Sequence, residues 1–166
     1  MQLFWCSIFL FFFSICAPAQ NGLREVNLLI NNVGSGTPYS KVIQKFGRPI
    51  RSKIEKTGSS LSCSGSAETY LTLFYSGLEI SLLGDGAGKA LKTVSIEVTS
   101  RKWSASGVSI GQAPKTVIAS FGKPISTSRL SGEVVFYYIT PGNLGGVNFY
   151  FRNNKLAKIA MTETLC

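Results

Sequence analysis

One segment of this chain occurs twice, 75 positions apart. Val33-Gly-Ser-Gly36-Thr-Pro-Tyr-Ser-Lys-Val42-Ile43-Gln-Lys-Phe46-Gly47-Arg48-Pro49-Ile50 returns without a gap as Val108-Ser-Ile-Gly111-Gln-Ala-Pro-Lys-Thr-Val117-Ile118-Ala-Ser-Phe121-Gly122-Lys123-Pro124-Ile125. The shared positions are glycine, proline, aliphatic and aromatic, while the polar positions between them drift. What repeats is a backbone path and a core, so the sequence predicts two copies of one structural unit and no repeated reaction.

In the first copy Thr37 suits an N-cap and Pro38 the first helical position. Val42, Ile43 and Phe46 fall on one side of a short helix that Gly47 can end in the left-handed conformation, and Pro49 prevents its resumption. The second copy repeats the scheme with Pro114, Val117, Ile118, Phe121, Gly122 and Pro124. A helix of about nine residues is marginal alone, so its apolar side must lie on a sheet.

That sheet is written downstream as alternation with a period of two. Leu78-Glu-Ile80-Ser-Leu82 and Val94-Ser-Ile96-Glu-Val98 flank the turn Gly84-Asp-Gly-Ala-Gly88; Val147-Asn-Phe149-Tyr-Phe151 and Ile159-Ala-Met161 flank Asn153-Asn154. An earlier strand precedes each pair, Tyr70 to Tyr75 and Val134 to Ile139. Helix, strand, strand, strand in each half predicts an α+β fold of two tandem helix-plus-antiparallel-sheet repeats with helices on one sheet face. The first repeat covers residues 20–102 and the second 103–166, with a linker near Arg101 to Gly107.

The same alternation turns Glu79, Ser81, Thr93, Ser95 and Glu97 of the first half, and Asn148, Tyr150, Arg152, Lys158 and Thr162 of the second, away from the helices. Aromatic and Arg side chains dominate binding energy when desolvated, so Glu79, Ser81, Asn148, Tyr150, Arg152 and Lys158 are the candidate partner-binding residues. Such positions are also what any half-buried sheet shows to water.

The spacing Val33-x-x-Gly36-x5-Val42-x3-Phe46-Gly47-x-Pro49, with its twin from Val108 to Pro124, resembles the helical signature of a superfamily with two branches. One is the small outer-membrane lipoprotein of the SmpA/OmlA, BamE-like type. The other is the beta-lactamase inhibitory protein, built from two tandem copies of such a unit. The resemblance spans nearly all of the chain after its apolar start and implies a beta-lactamase inhibitory protein-like fold and a non-enzymatic binding module. Gly36, Gly47, Pro49, Gly111, Gly122 and Pro124 carry over as backbone devices. Ile15 stands before Cys16 where the residue preceding a lipidated cysteine would be small, so the acylated cysteine of the lipoprotein branch is not expected, and no segment matches the inhibitor branch's projecting loop.

Residues 1–19 read as a secretory signal, an apolar run from Leu3 to Ile15 followed by Ala17-Pro18-Ala19 and cleavage before Gln20; a retained anchor is the alternative. Export to a periplasmic or secreted location follows. The formal charge of +9 favours anionic partners, peripheral contact with an anionic membrane surface among them, but the basic residues are scattered as on an ordinary solvated face. Past the signal only Cys63 and Cys166 remain. An oxidising compartment favours a bridge between them, closing a loop of about 100 residues and stabilising by roughly 4 to 5 kcal/mol; two free thiols, or pairing of Cys166 with another molecule, are the alternatives.

Histidine is absent, which excludes Ser/His/Asp and Cys/His nucleophilic arrangements and His-ligated zinc. The eight carboxylates form no cluster in sequence, so no cofactor, metal or catalytic residue is expected. Gly84-Asp-Gly-Ala-Gly-Lys89 lacks the first glycine and the hydroxyl of a phosphate loop and joins two strands, so it reads as a hairpin turn. Nucleic acid is not the expected partner, because half of the sheet aromatics must point inward. The sequence thus predicts an exported, non-enzymatic module that docks a protein or envelope component on its outer sheet face. A secreted inhibitor of a hydrolase such as a beta-lactamase is the alternative.

Overall fold

The computed structural model describes residues 25–57, 67–85, 91–143 and 145–163. The expected signal peptide, both Cys63 and Cys166, and the tip of the Gly84–Gly88 turn lie outside the described residues.

After an extended segment from Glu25, the first half runs α1 (Tyr39–Phe46), β1 (Arg51–Thr57), β2 (Glu68–Tyr75), β3 (Leu78–Asp85) and β4 (Lys92–Val98). A small hairpin follows, β5 (Ser104–Ala105) and β6 (Val108–Ser109). The second half runs α2 (Pro114–Phe121), β7 (Ser126–Leu130), β8 (Glu133–Ile139), a 3-10 turn (Pro141–Asn143), β9 (Gly145–Arg152) and β10 (Lys155–Glu163). The eight long strands form a single antiparallel sheet in the order β1-β2-β3-β4-β10-β9-β8-β7. Mostly antiparallel sheet with two helices is the α+β arrangement that alternation predicts.

Four strands follow each helix where the sequence reading has three. The strands it misses, β1 and β7, are the sheet's edges; their residues are polar or exposed on both faces, so no alternation marks them. The two halves also share one sheet, joined where β4 pairs β10 through Ile159↔Val98, Ala160↔Glu97, Met161↔Ile96 and Thr162↔Ser95.

The core lies between the sheet's inner face and a layer made of α1, α2, the β5–β6 hairpin and the extended segment Glu25–Val33. Leu73, Ile80, Ile96, Met161, Val147 and Tyr138 form one row across the inner face, and Leu78, Val98, Ile159, Phe149 and Phe136 a second. Val26, Leu28, Ile30 and Val33 are buried over them, with Val42 of α1 and Val117 of α2. Phe46 packs on Tyr75 and Trp103 at centroid distances of 5.6 and 5.5 Å, and Phe121 on Tyr138 and Phe149 at 5.9 and 5.2 Å. Each such pair contributes about 0.5–1.5 kcal/mol beyond the area it buries.

Several local expectations are corrected. The helix begins at Tyr39 after Pro38, and the Thr37 hydroxyl accepts the Gly34 amide at 3.1 Å instead of capping α1. Ile118 stays 41% exposed, and Val117 and Phe121 are the α2 residues that pack on the core cluster among the described residues. Gly47 and Gly122 do end the helices at positive φ, 73° and 80°, but with extended ψ that sends the chain straight toward the next strand. The supposed linker is folded, since Trp103 and Ala105 are buried, and the Trp103 indole donates to the Ser76 carbonyl at 2.8 Å.

The same bonds recur in the two halves. Gly36 donates to the Thr93 carbonyl and Gly111 to that of Leu156, at 2.8 and 2.7 Å; Thr93 returns a bond to Thr37, as Leu156 does to Gln112. Ile50 donates to Phe74 and Ile125 to Tyr137, at 2.8 and 2.9 Å. The Tyr75 hydroxyl donates to the Gly47 carbonyl at 3.1 Å and the Tyr138 hydroxyl to that of Gly122 at 2.8 Å. β4 and β10 each break register one residue past the matched positions Thr93 and Leu156. This correspondence matches Glu97 with Ala160, and those two residues pair with each other at the seam, so a local two-fold relation passes between them.

Candidate partner-binding face

The break in register at Val94 decides which residues reach the outer face. A bulge of one residue reverses the alternation beyond it, so Thr93, expected outside, is fully buried and hydrogen-bonds the Thr37 carbonyl at 3.0 Å. Beyond the bulge, Ser95 and Glu97 do face outward, opposite Ser81 and Glu79.

A row across the middle of the outer face reads Arg51, Phe74, Glu79, Glu97, Ala160, Asn148, Tyr137 and Ser126. Next to it lie Lys158, Tyr150 and Val135 toward the second half, and Lys53, Thr72, Ser81 and Ser95 toward the first. The core cluster takes its members from the opposite face, and the side chains of this row are half-buried or exposed.

The structure brings four of the predicted residues into one neighbourhood. Lys158 and Tyr150 are cross-strand partners, with the ammonium 4.4 Å from the ring centroid, and the same ammonium lies 3.5 Å from the Glu97 carboxylate. Glu97 stands directly opposite Glu79. Like charges across a strand pair are destabilising, and only Lys158 offsets this one among the described ion pairs. Both glutamates line a recess of 160 Å³ with Phe74, Tyr75, Gly77, Leu78 and Thr99. Asn148 sits one strand away, between Ala160 and Tyr137.

The remaining two are peripheral. The Ser81 hydroxyl is engaged with Thr72 at 3.3 Å, and Arg152 is drawn to the rim by Glu133 at 2.8 Å. The sequence reading misses Arg51, whose guanidinium stacks 4.1 Å over the Phe74 ring, because β1 carries no strand signal. It also misses Tyr70, whose phenol burial raises above its ordinary pKa, with the Glu68 carboxylate adding to the effect; the group is a neutral donor on this face.

Among the described residues no group of three or more His, Cys, Asp or Glu is placed to hold a metal ion, and no helix is long and apolar enough to cross a membrane. The outer face carries cations, carboxylates, aromatic rings and hydroxyls.

No family model and no curated protein matches this sequence, so the SmpA/OmlA resemblance rests on the repeated motif alone. Among solved structures, an extracellular protein containing an SCP domain from Bacillus anthracis overlaps 77% of this chain at 13% identity and a TM-score of 0.46; the match spans 43% of that protein's length. A DUF4309 family protein from Bacillus subtilis overlaps 76% of this chain and 78% of its own, at 11% identity and 0.38. A proposed beta-lactamase inhibitor protein from Streptococcus mutans overlaps 76% of this chain and 83% of its own, at 19% identity and 0.30. Scores of this size describe partial backbone likeness, and no function passes from these proteins to this one.

Proposed function

We propose that this chain is an exported, non-enzymatic binding module, a duplicated α+β unit that docks a protein or envelope component on its outer sheet face. The observation that carries the reading is the Tyr150–Lys158–Glu97–Glu79 cluster on a sheet face from which the core cluster draws nothing. Two carboxylates held opposite one another, with Lys158 beside Glu97 alone, leave unbalanced negative charge at Glu79. A basic side chain of the partner entering the recess next to Glu79 balances that charge and stacks against the rim rings. The duplication is supported by the hydrogen bonds that recur at matched positions of both halves.

Photo-crosslinking tests this reading. A benzophenone side chain placed at Asn148, on the outer face, is expected to capture a defined partner from the native envelope or medium, and one at Ile118, on the helix layer, is not. Replacement of Tyr150 and Lys158 by Ala is expected to abolish the Asn148 crosslink while the far-UV spectrum and melting curve are retained. Crosslinking from Ile118 alone, or a crosslink indifferent to the Tyr150 and Lys158 changes, refutes the assignment.

A further inference from the structure

Among the described residues no strand pairs with the outer side of either end of the eight-stranded sheet, and the two ends differ in chemistry. β7 (Ser126–Leu130) carries one charge, Arg129, among small hydroxyl residues. β1 (Arg51–Thr57) carries charges of both signs, and Arg51 to Lys56 are all exposed. Its register with β2 puts Lys53 and Glu55 on the outer face, opposite Thr72 and Tyr70, and Ile54 on the helix side, opposite Leu71. Ile54 is 64% exposed, an apolar side chain at the rim of the core that no strand among the described residues covers on its outer flank. Among the described residues the Lys53 ammonium reaches only the Glu55 carboxylate of its own strand, at 2.7 Å, with both side chains more than half in water.

We infer that β1 is a self-complementary edge and that its occupant is β1 of a second copy of this chain, paired antiparallel about Ile54. In that register Ile54 meets Ile54 of the second copy, Lys53 faces its Glu55, Glu55 faces its Lys53, Ser52 faces Lys56 and Arg51 faces Thr57. No like charges oppose. The two nearest registers that keep the same faces together set Lys53 against Lys53 or Glu55 against Glu55, so charge selects the one centred on Ile54. Edge strands are ordinarily guarded by charged side chains, Lys above all, which oppose pairing when like charges meet. Opposite signs two residues apart do the reverse for an antiparallel copy, because each Lys53 finds the other strand's Glu55. Paired residues come from equivalent faces, so the helix layers of both copies lie on one side and the outer faces join into one surface, with the stacked Arg51 and Phe74 of each copy beside the seam. The inference stands apart from the proposed docking function.

Sedimentation velocity over a range of concentrations tests it, with the purified protein and charge-reversed variants at these exposed positions. The wild-type chain is expected to rise from the mass of one chain toward that of two. Lys53→Glu and Glu55→Lys each set like charges across the seam and are expected to weaken association roughly tenfold or more. Mixed in equal amounts, the two variants are expected to associate with each other, because the carboxylates of the first chain then face the ammonium groups of the second at both positions. The double variant Lys53→Glu/Glu55→Lys is expected to self-associate as the wild type does. A wild-type chain that stays single at every concentration overturns the inference, as does association that neither single reversal weakens or that mixing fails to restore. Melting curves of the four proteins show that each is folded, so loss of association is not loss of structure.

Discussion

The matched tyrosines Tyr75 and Tyr138 make the same bond in different surroundings, and replacing each by Phe measures what burial adds to it. Tyr138 is fully buried, and its hydroxyl donates to the Gly122 carbonyl at 2.8 Å behind helix α2. Tyr75 is half-exposed and donates at 3.1 Å to the carbonyl of Gly47, which faces solvent. Removing the Tyr138 hydroxyl leaves a poorly hydrated carbonyl without its donor, a loss of about 1–2 kcal/mol. Water takes the donor's place at Gly47, so Tyr75→Phe costs about 0.5 kcal/mol or less. The difference of about 1 kcal/mol is read from urea midpoints at unchanged m-value, as a clear separation of the two curves. The effect of pH gives a second reading. Burial pushes the Tyr138 phenol up to about 12 from its ordinary 10.0. A group whose folded pKa is raised contributes fully below its unfolded value and loses that contribution as pH climbs toward the folded one. The gap between wild type and Tyr138→Phe therefore stays constant below about pH 10 and narrows between about 10 and 12. Equal losses for the two variants, or a gap that does not change with alkaline pH, refute the reasoning.

Two further outcomes are expected. Glu79→Gln removes one of two carboxylates facing each other across β3 and β4, and should stabilise the fold by about 0.2–1 kcal/mol at low salt, an increment that shrinks as salt is added; destabilisation in a urea titration contradicts the repulsion. If Cys63 and Cys166 are joined, reduction should lower the melting temperature substantially, the bridge constraining a loop of about 100 residues; an unchanged melt with two titratable thiols ends that idea.

What the sequence makes legible follows from how strongly one face of each element is buried. The central strands are read correctly because Ile80, Ile96, Phe149 and Ile159 alternate with polar residues, and a half-buried strand can do little else. β1 and β7 escape because an edge strand touches the core with little of its surface, as Ile54 shows. Thr93 is misplaced for a different reason: a bulge is set by backbone pairing with Gly36 and Thr37, and a period of two carries no mark of it. On the outer face, Tyr150 and Lys158 are adjacent through register, and their sequence separation contains nothing of that distance. The Glu79–Glu97 opposition is likewise a property of pairing, although both residues are assigned to the correct side by alternation.

The two-fold relation at the seam holds for backbone and core only. Inward positions keep their character across it, Leu78 with Val147, Ile80 with Phe149 and Leu82 with Phe151, whereas outward positions have parted: Glu79 stands where the other half has Asn148, Ser81 where it has Tyr150, and Ser95 where it has Lys158. A guest laid on this surface meets a different chemical sequence when read from left to right than from right to left. The outer surface thereby has a heading that the core beneath it lacks.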